Sequence, residues 1–247
     1  MDEINPEELT QLIASVQKSP KYAQIAPSLV ERIAREELQK RSNFAESVKA
    51  VRSRLHQLTG AYLPAKVDYA QWSALFRDPA QDKHELCQRM LRLHASTAER
   101  LPFLENFYAT CLASISPVHS ILDLACGLNP LALPWMPLAE DCTYLACDVL
   151  QPMLDFLNAF FESYQINGQA FACDLTSCIP DHSVQVAFLL KTFPLLDQID
   201  KTLSRRLLEG IQAEHILVSY PAKSLGGRSK GMPANYTTAF YRLIEGL

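Results

Sequence analysis

The sequence predicts an α/β protein, an open, Rossmann-like parallel sheet behind a helical N-terminal extension. Apolar residues in the first ~115 positions recur at helical spacing. After Pro117, short apolar runs alternate with helical stretches, the pattern of a right-handedly wound parallel sheet. The first such run ends in "ILDLACGLNP" (121–130), where a strand hands over to a helix through a single glycine. With 247 residues, 48% of them hydrophobic and 20% charged, the chain can bury one large core or a core with an appendage.

Taken in order, Ile13 and Val16 mark the apolar face of a first helix. "PSLVERIAREELQK" (27–40) predicts a second, with Ser28 as its cap and Val30, Ile33 and Leu38 as its stripe. A third covers about 44–58, with Val48, Val51 and Leu55 on one side, before Gly60 and Pro64 break the pattern. A helix near 82–93 buries Leu86, Met90 and Leu93, and Ser96-x-x-Glu99 reads as the capping box of another. The predicted strands are Ser120–Ala125, Thr143–Cys147, Gln169–Cys173, Val184–Leu190 and His215–Ser219, with helices over 130–138, 151–164 and 198–211. Their continuous apolar runs suit strands buried on both faces. No internal repeat or low-complexity segment is present.

The net charge of −4 weighs against a general nucleic-acid coater but leaves room for a local basic face. Such a face lies between Lys40 and His56, where Lys40, Arg41, Lys49, Arg52 and Arg54 stand against one acid, Glu46; a solvated helix face reads equally well there. Seven cysteines, an odd number with no C-x-x-C pair, argue against a disulfide framework and a common zinc site. The polar, acidic "MDEINPEELT" is not a secretory signal, and no apolar run approaches ~20 residues. The expected location is the cytoplasm.

At the turn, Gly127 permits positive φ or close approach of a ligand, Asn129 tolerates a left-handed backbone, and Pro130 suits a helix's first turn. A dinucleotide site would need two more glycines, so a cofactor without a pyrophosphate fits better. Asp123, Asp148 and Asp174 each end a predicted strand. An acid at the second position accepts from ribose hydroxyls, and one at the third is placed for an adenine amino group. Together they suggest S-adenosylmethionine (SAM), with its cationic sulfonium and ammonium. The alternative is that each aspartate caps the helix that follows.

Four stretches carry a resemblance: "RLHQLTGAY" (54–62), "LHASTAERL" (93–101), "ILDLACGLNPLAL" (121–133), and "FLLKTFPLLD" (188–197) with "VSYPAKSLGGRSKGMPANY" (218–236). In these the chain resembles the aminoglycoside-resistance 16S ribosomal RNA methyltransferases that modify guanine-1405 at N7. The resemblance implies a class I SAM-dependent methyltransferase domain over 116–247 and a helical extension over 1–115 that docks on the 30S subunit. It implies cofactor contacts at Tyr62, His94, Ala95, Ser96, Arg100, Ala125, Gly127, Asp148, Asp174, Leu175, Leu190 and Gln198, with Arg100 as a fork for the methionine carboxylate. Lys191 and Arg228 would serve catalysis and, with Lys223 and Lys230, face RNA, while Lys40, Arg41, Lys49, Arg52 and Arg54 would bind it from the extension. Family members continue with two further strands, whereas this chain stops at "YRLIEGL". A monomer without metal is expected.

Guanine N7 has an in-plane lone pair and no hydrogen, so its attack on a sulfonium methyl needs alignment rather than a general base. No Asp/Asn-Pro-Pro-Tyr/Phe motif is present, and the exit of the fourth strand has no cysteine to attack a pyrimidine. Lys191, at that exit, is expected to act electrostatically near the guanine or its phosphate. Phe193 or Tyr220 would stack on a flipped base, or else belong to the core. Two other functions compete, a non-catalytic 30S-binding relative and a nicotinamide-dependent oxidoreductase.

Overall fold

A computed structural model describes residues 4–59, 67–221 and 232–247. Among the described residues eight α-helices precede the sheet: α1 (Pro6–Gln17), α2 (Pro20–Ala23), α3 (Pro27–Lys40), α4 (Phe44–Thr59), α5 (Tyr69–Arg77), α6 (Lys83–Leu91), α7 (Ala95–Ala98) and α8 (Leu104–Cys111). Asn5, Asp68 and Asp82 cap α1, α5 and α6 through side-chain oxygens that accept main-chain N–H bonds. The rest alternates as β1 (Val118–Leu124), β2 (Leu138–Asp148), α9 (Gln151–Tyr164), β3 (Asn167–Ala172), β4 (Val184–Leu190), α10 (Phe193–Ile199), α11 (Leu203–Gly210), β5 (Ala213–Ser219) and α12 (Met232–Ile244).

The five strands run parallel in the order β3-β2-β1-β4-β5. The winding reverses at β1, which pairs with β2 on one side and β4 on the other, so the crevice past its carboxyl end is the natural ligand site. Successive β1 side chains enter opposite cores. Ile121 joins the core shared with the N-terminal helices and α9, and Leu122 joins the core under α10, α11 and α12. On the first face the helices dock through aromatic rings: Phe76 of α5 lies 5.7 Å from Phe156 and 5.5 Å from Phe160.

The main chain also joins the halves. Ala26 N–H donates to Val149 O at 2.9 Å, Gln151 N–H donates to Gln24 O at 3.0 Å, and Ile25 and Leu150 form an antiparallel bridge. The segment before α3 is thereby tied to the loop after β2.

Several local expectations need correction. Ser28 lies inside α3, because Pro27 starts the helix and Ala26 is its cap. The Ser96/Glu99 capping box does not form. Ser96 Oγ bonds His94 Nδ1 at 2.7 Å, and Glu99 pairs with Lys191. The helix expected at 130–138 is a 3-10 segment, Asn129–Trp135, in which Pro134 supplies no N–H. The helix at 198–211 is two, α10 and α11, broken where Asp200 accepts from Thr202 N–H and Oγ1–H, both at 2.8 Å. β2 begins earlier than its apolar run, through the exposed Glu140 and Asp141.

Candidate functional site

The strand ends past β1–β4 are laced together. Cys126 N–H donates to Cys147 O at 2.9 Å, Cys173 N–H to Asp148 O at 3.1 Å, and Thr192 Oγ1 to Leu124 O at 3.2 Å. The backbone there is unusual: Ala125 has φ +52°, Gly127 +52° and Lys191 +63°. Non-glycine residues in this region are strained and collect at functional sites. The left-handed positions of the turn are therefore Ala125 and Gly127, not Asn129. A Cβ on Gly127 would stand 3.1 Å from His94 Cε1, so glycine also admits the histidine ring.

Around these ends opens a cleft of about 900 Å³, its mouth included. Nine of the residues expected to serve it line it: His94, Ser96, Ala125, Gly127, Asp148, Asp174, Leu175, Leu190 and Lys191. The wall also includes Gln57 of α4, Met153 of α9, and Leu195 and Ile199 of α10. Gln198 is exposed and off the wall, because its α10 neighbours Leu195 and Ile199 turn their side chains inward. Ala95 lies in α7, between two wall residues. Tyr62, Lys223, Arg228 and Lys230 fall outside the described residues.

The three strand-end acids do not share one environment. Asp148 Oδ2 accepts from Gly127 N–H at 2.9 Å and its Oδ1 from Val149 N–H at 2.6 Å, which fixes the turn. Asp174 is fully buried; its Oδ1 accepts from Thr176 N–H at 2.9 Å and Oγ1–H at 2.6 Å, and Arg32 holds its Oδ2. Asp123, expected at the rim with them, is not on the wall. It is buried behind it, where Asn129 Nδ2 (2.9 Å) and Tyr144 Oη (2.7 Å) donate to Oδ2. Burial outweighs these bonds and pushes its carboxyl up to about 7.

Arg100 is 5% exposed and stands behind the same turn. Its Nη2 donates to Asn129 Oδ1 at 2.7 Å, but Nε and Nη1 have no hydrogen-bond partner among the described residues. Open donors on a buried guanidinium are costly, and a carboxylate would satisfy both. Two carboxylates on the wall and one guanidinium with free donors fit an amino-acid nucleoside carrying both charges, as SAM does.

Lys191 lines the cleft but is 7% exposed. Its ammonium donates to Glu99 Oε2 at 2.5 Å and Ser96 O at 3.1 Å. Burial pulls its pKa below the ordinary lysine value, against Glu99. Phe193 is fully buried in the core under α10, and Tyr220 stacks on Tyr236 at 4.7 Å. The basic stretch is less free than its composition implied. Arg54 pairs with Glu36 (2.5 Å) and Glu37 (3.1 Å), Arg41 pairs with Glu37, Lys40 lies 3.4 Å from Glu37, and Arg52 donates to Ser15 O at 2.8 Å. Lys49 is exposed on α4.

A parallel sheet with its cleft at the reversal of winding, walled by strand-end acids and free of a glycine-rich phosphate loop, defines the class I methyltransferase fold. The chain matches the family model "Ribosomal RNA methyltransferase (FmrO)" over residues 18–246 and belongs to that family of enzymes. A relative from Micromonospora rosea, named 16S rRNA (guanine(1405)-N(7))-methyltransferase, is 34% identical over 94% of this chain and 87% of its own length. A protein of the same name from Serratia marcescens is 33% identical, covering 92% of this chain and 86% of its own. Among solved structures, the 16S rRNA methyltransferase RmtF in complex with S-adenosyl-L-homocysteine is 29% identical with a TM-score of 0.76, over 98% of this chain and 90% of that one.

Proposed function

We propose that this protein transfers a methyl group from SAM to N7 of guanine in 16S rRNA, at the 1405-type position within the 30S subunit, and that the modification confers aminoglycoside resistance. The observation that carries the reading is the strand-end cleft, with Asp148 and Asp174 on its wall and the open guanidinium of Arg100 behind it. The names of the relatives support the base and the position.

When bound, SAM supplies an electrophilic methyl group. Arg100 would hold its carboxylate, Asp148 the ribose hydroxyls and Asp174 the adenine amino group, with His94, Ser96, Ala125, Gly127, Leu175 and Leu190 around it. The titratable side chains facing the cleft already have hydrogen-bonding partners. His94 bonds Ser96, Lys191 bonds Glu99, and the thiol of Cys173 is raised by its bond to Cys147 and by burial. A nucleophile that needs no deprotonation suits such a site. Lys191, once the incoming nucleotide competes with Glu99 for it, would hold that nucleotide through an acceptor, its phosphate or guanine O6, and so help to align N7 with the methyl group.

We extend the proposal to docking. The helices of residues 1–115 would meet the ribosome through Lys49 and the exposed faces of Arg52, Lys40 and Arg41, with Arg54 set deeper, and the segment bearing Lys223, Arg228 and Lys230 would contact phosphates. A cytosolic monomer fits this role. The test is incubation of 30S subunits with labelled SAM and mapping of the modified nucleotide. Label at N7 of guanine-1405 is expected; label on an adenine, or none, overturns the reading. Arg228→Glu is expected to spare SAM binding and abolish methylation.

A further inference from the structure

Arg32 was no part of the expected site, yet it reaches Asp174 across 142 residues of sequence. It sits on α3, is 31% exposed at its side chain, and is not on the cleft wall. It therefore meets the carboxylate from the side of the N-terminal helices while Asp174 faces the cleft. Its other arm is held from behind: Nη1 donates to Glu36 Oε1 at 2.5 Å, and Glu36 Oε2 accepts from Arg54 at 2.5 Å. The fork is thus set in one geometry by an ion-pair chain along α3 and α4.

The acceptor inventory of Asp174 gives this contact a consequence. A carboxylate offers about four acceptor positions. Thr176 fills two on Oδ1 and Arg32 fills one on Oδ2, leaving one for a donor in the cleft. Removing Arg32 would take away the only ion-pair partner of this fully buried group among the described residues and the bond that anchors Oδ2. We propose that Arg32 is a positioning residue for the cofactor: it fixes the open acceptor of Asp174 and so makes the site prefer a 6-amino purine, a donor, over a 6-oxo purine. The proposal rests on the reading of Asp174 as the partner of the adenine amino group.

The test is calorimetric titration with S-adenosyl-L-homocysteine and with its inosine counterpart, which carries a carbonyl where adenine has the amino group. Dissociation constants do not depend on an inactive fraction, so partial misfolding leaves the ratio of the two intact. Wild type is expected to favour the adenosyl compound by on the order of 10- to 100-fold, the range of a hydrogen bond to a charged group. Asp174→Asn and Arg32→Met are both expected to bring the ratio close to unity, with Arg32→Lys between. If Asp174→Asn loses the preference and Arg32→Met keeps it, Arg32 has no positioning role and the adenine reading survives. If Asp174→Asn keeps the preference, the adenine reading itself fails and this inference with it. If Arg32→Met binds neither compound while Arg32→Lys shows the full wild-type ratio, Arg32 serves the fold alone and the inference is overturned.

Discussion

Gly127 shows how much a single residue of the site was legible. A lone glycine after an apolar run ending in Asp-Leu-Ala-Cys pointed to a turn with positive φ, and the turn has it at +52°. The same angle at Ala125 was not legible, because alanine carries no signal for it. Gly127→Ala is expected to cost about 1–2 kcal/mol in urea unfolding and to weaken SAM, since the new methyl group presses on His94. The resemblance implies Arg100 as a carboxylate fork, and its Nε and Nη1 are open donors that a carboxylate would satisfy. Arg100→Met should lower SAM affinity by on the order of 10- to 100-fold in calorimetry. Asp123 lies in the core behind the rim, a difference that counting strand ends cannot detect. Its raised folded pKa has a definite sign. The native state holds a proton that the unfolded chain releases near pH 4, so stability from this group is full below about 4 and is lost as pH rises to about 7. Urea melts should show wild type losing stability relative to Asp123→Asn across that window and no further above it.

Among the elements, α3 and α4 teach the most about charge. The basic face was counted from Lys40 onward, and the acids that neutralise it, Glu36 and Glu37, lie just upstream on α3. Only the packing of α4 against α3 brings Arg54 onto them, and composition along a window cannot report that. Glu37 is 3% exposed and collects Lys40, Arg41 and Arg54. Glu37→Gln should destabilise the protein by about 2 kcal/mol in denaturant unfolding. β1 and β4 were legible because both of their faces are largely buried, whereas the edge strands β3 and β5 are mostly half-buried; α9 was legible because its aromatic residues repeat at helical spacing. The break between α10 and α11 was not, since Asp200–Thr202 is a local hydrogen-bonding choice that apolar periodicity ignores. Gln57 and Arg32 were missed for a different reason. Their places at or beside the cleft depend on how the first helices dock against the sheet.

For the whole molecule, the boundary read between residues 115 and 116 falls in the connection from α8 to β1. One core nevertheless runs through it, from Leu9, Leu12 and Val16 to Ile121, Phe156 and Phe188. Trp72 on α5 and Trp135 in the 3-10 segment both pack against that core. Thermal unfolding followed by tryptophan fluorescence and by far-UV circular dichroism should therefore give one coincident transition; two separate steps would show that the halves melt independently. The link from Ala26 to Val149 also bears on how the chain is made. The helices leave the translating ribosome first, while their docking surface on α9 is still unsynthesised. Apolar side chains must then wait for their partners on the far half, Ile25 for about half the polypeptide to follow and Phe76 for about a third. Nascent chains halted before Gln151 should be cut readily by protease within their first half, and chains carried past Tyr164 should resist.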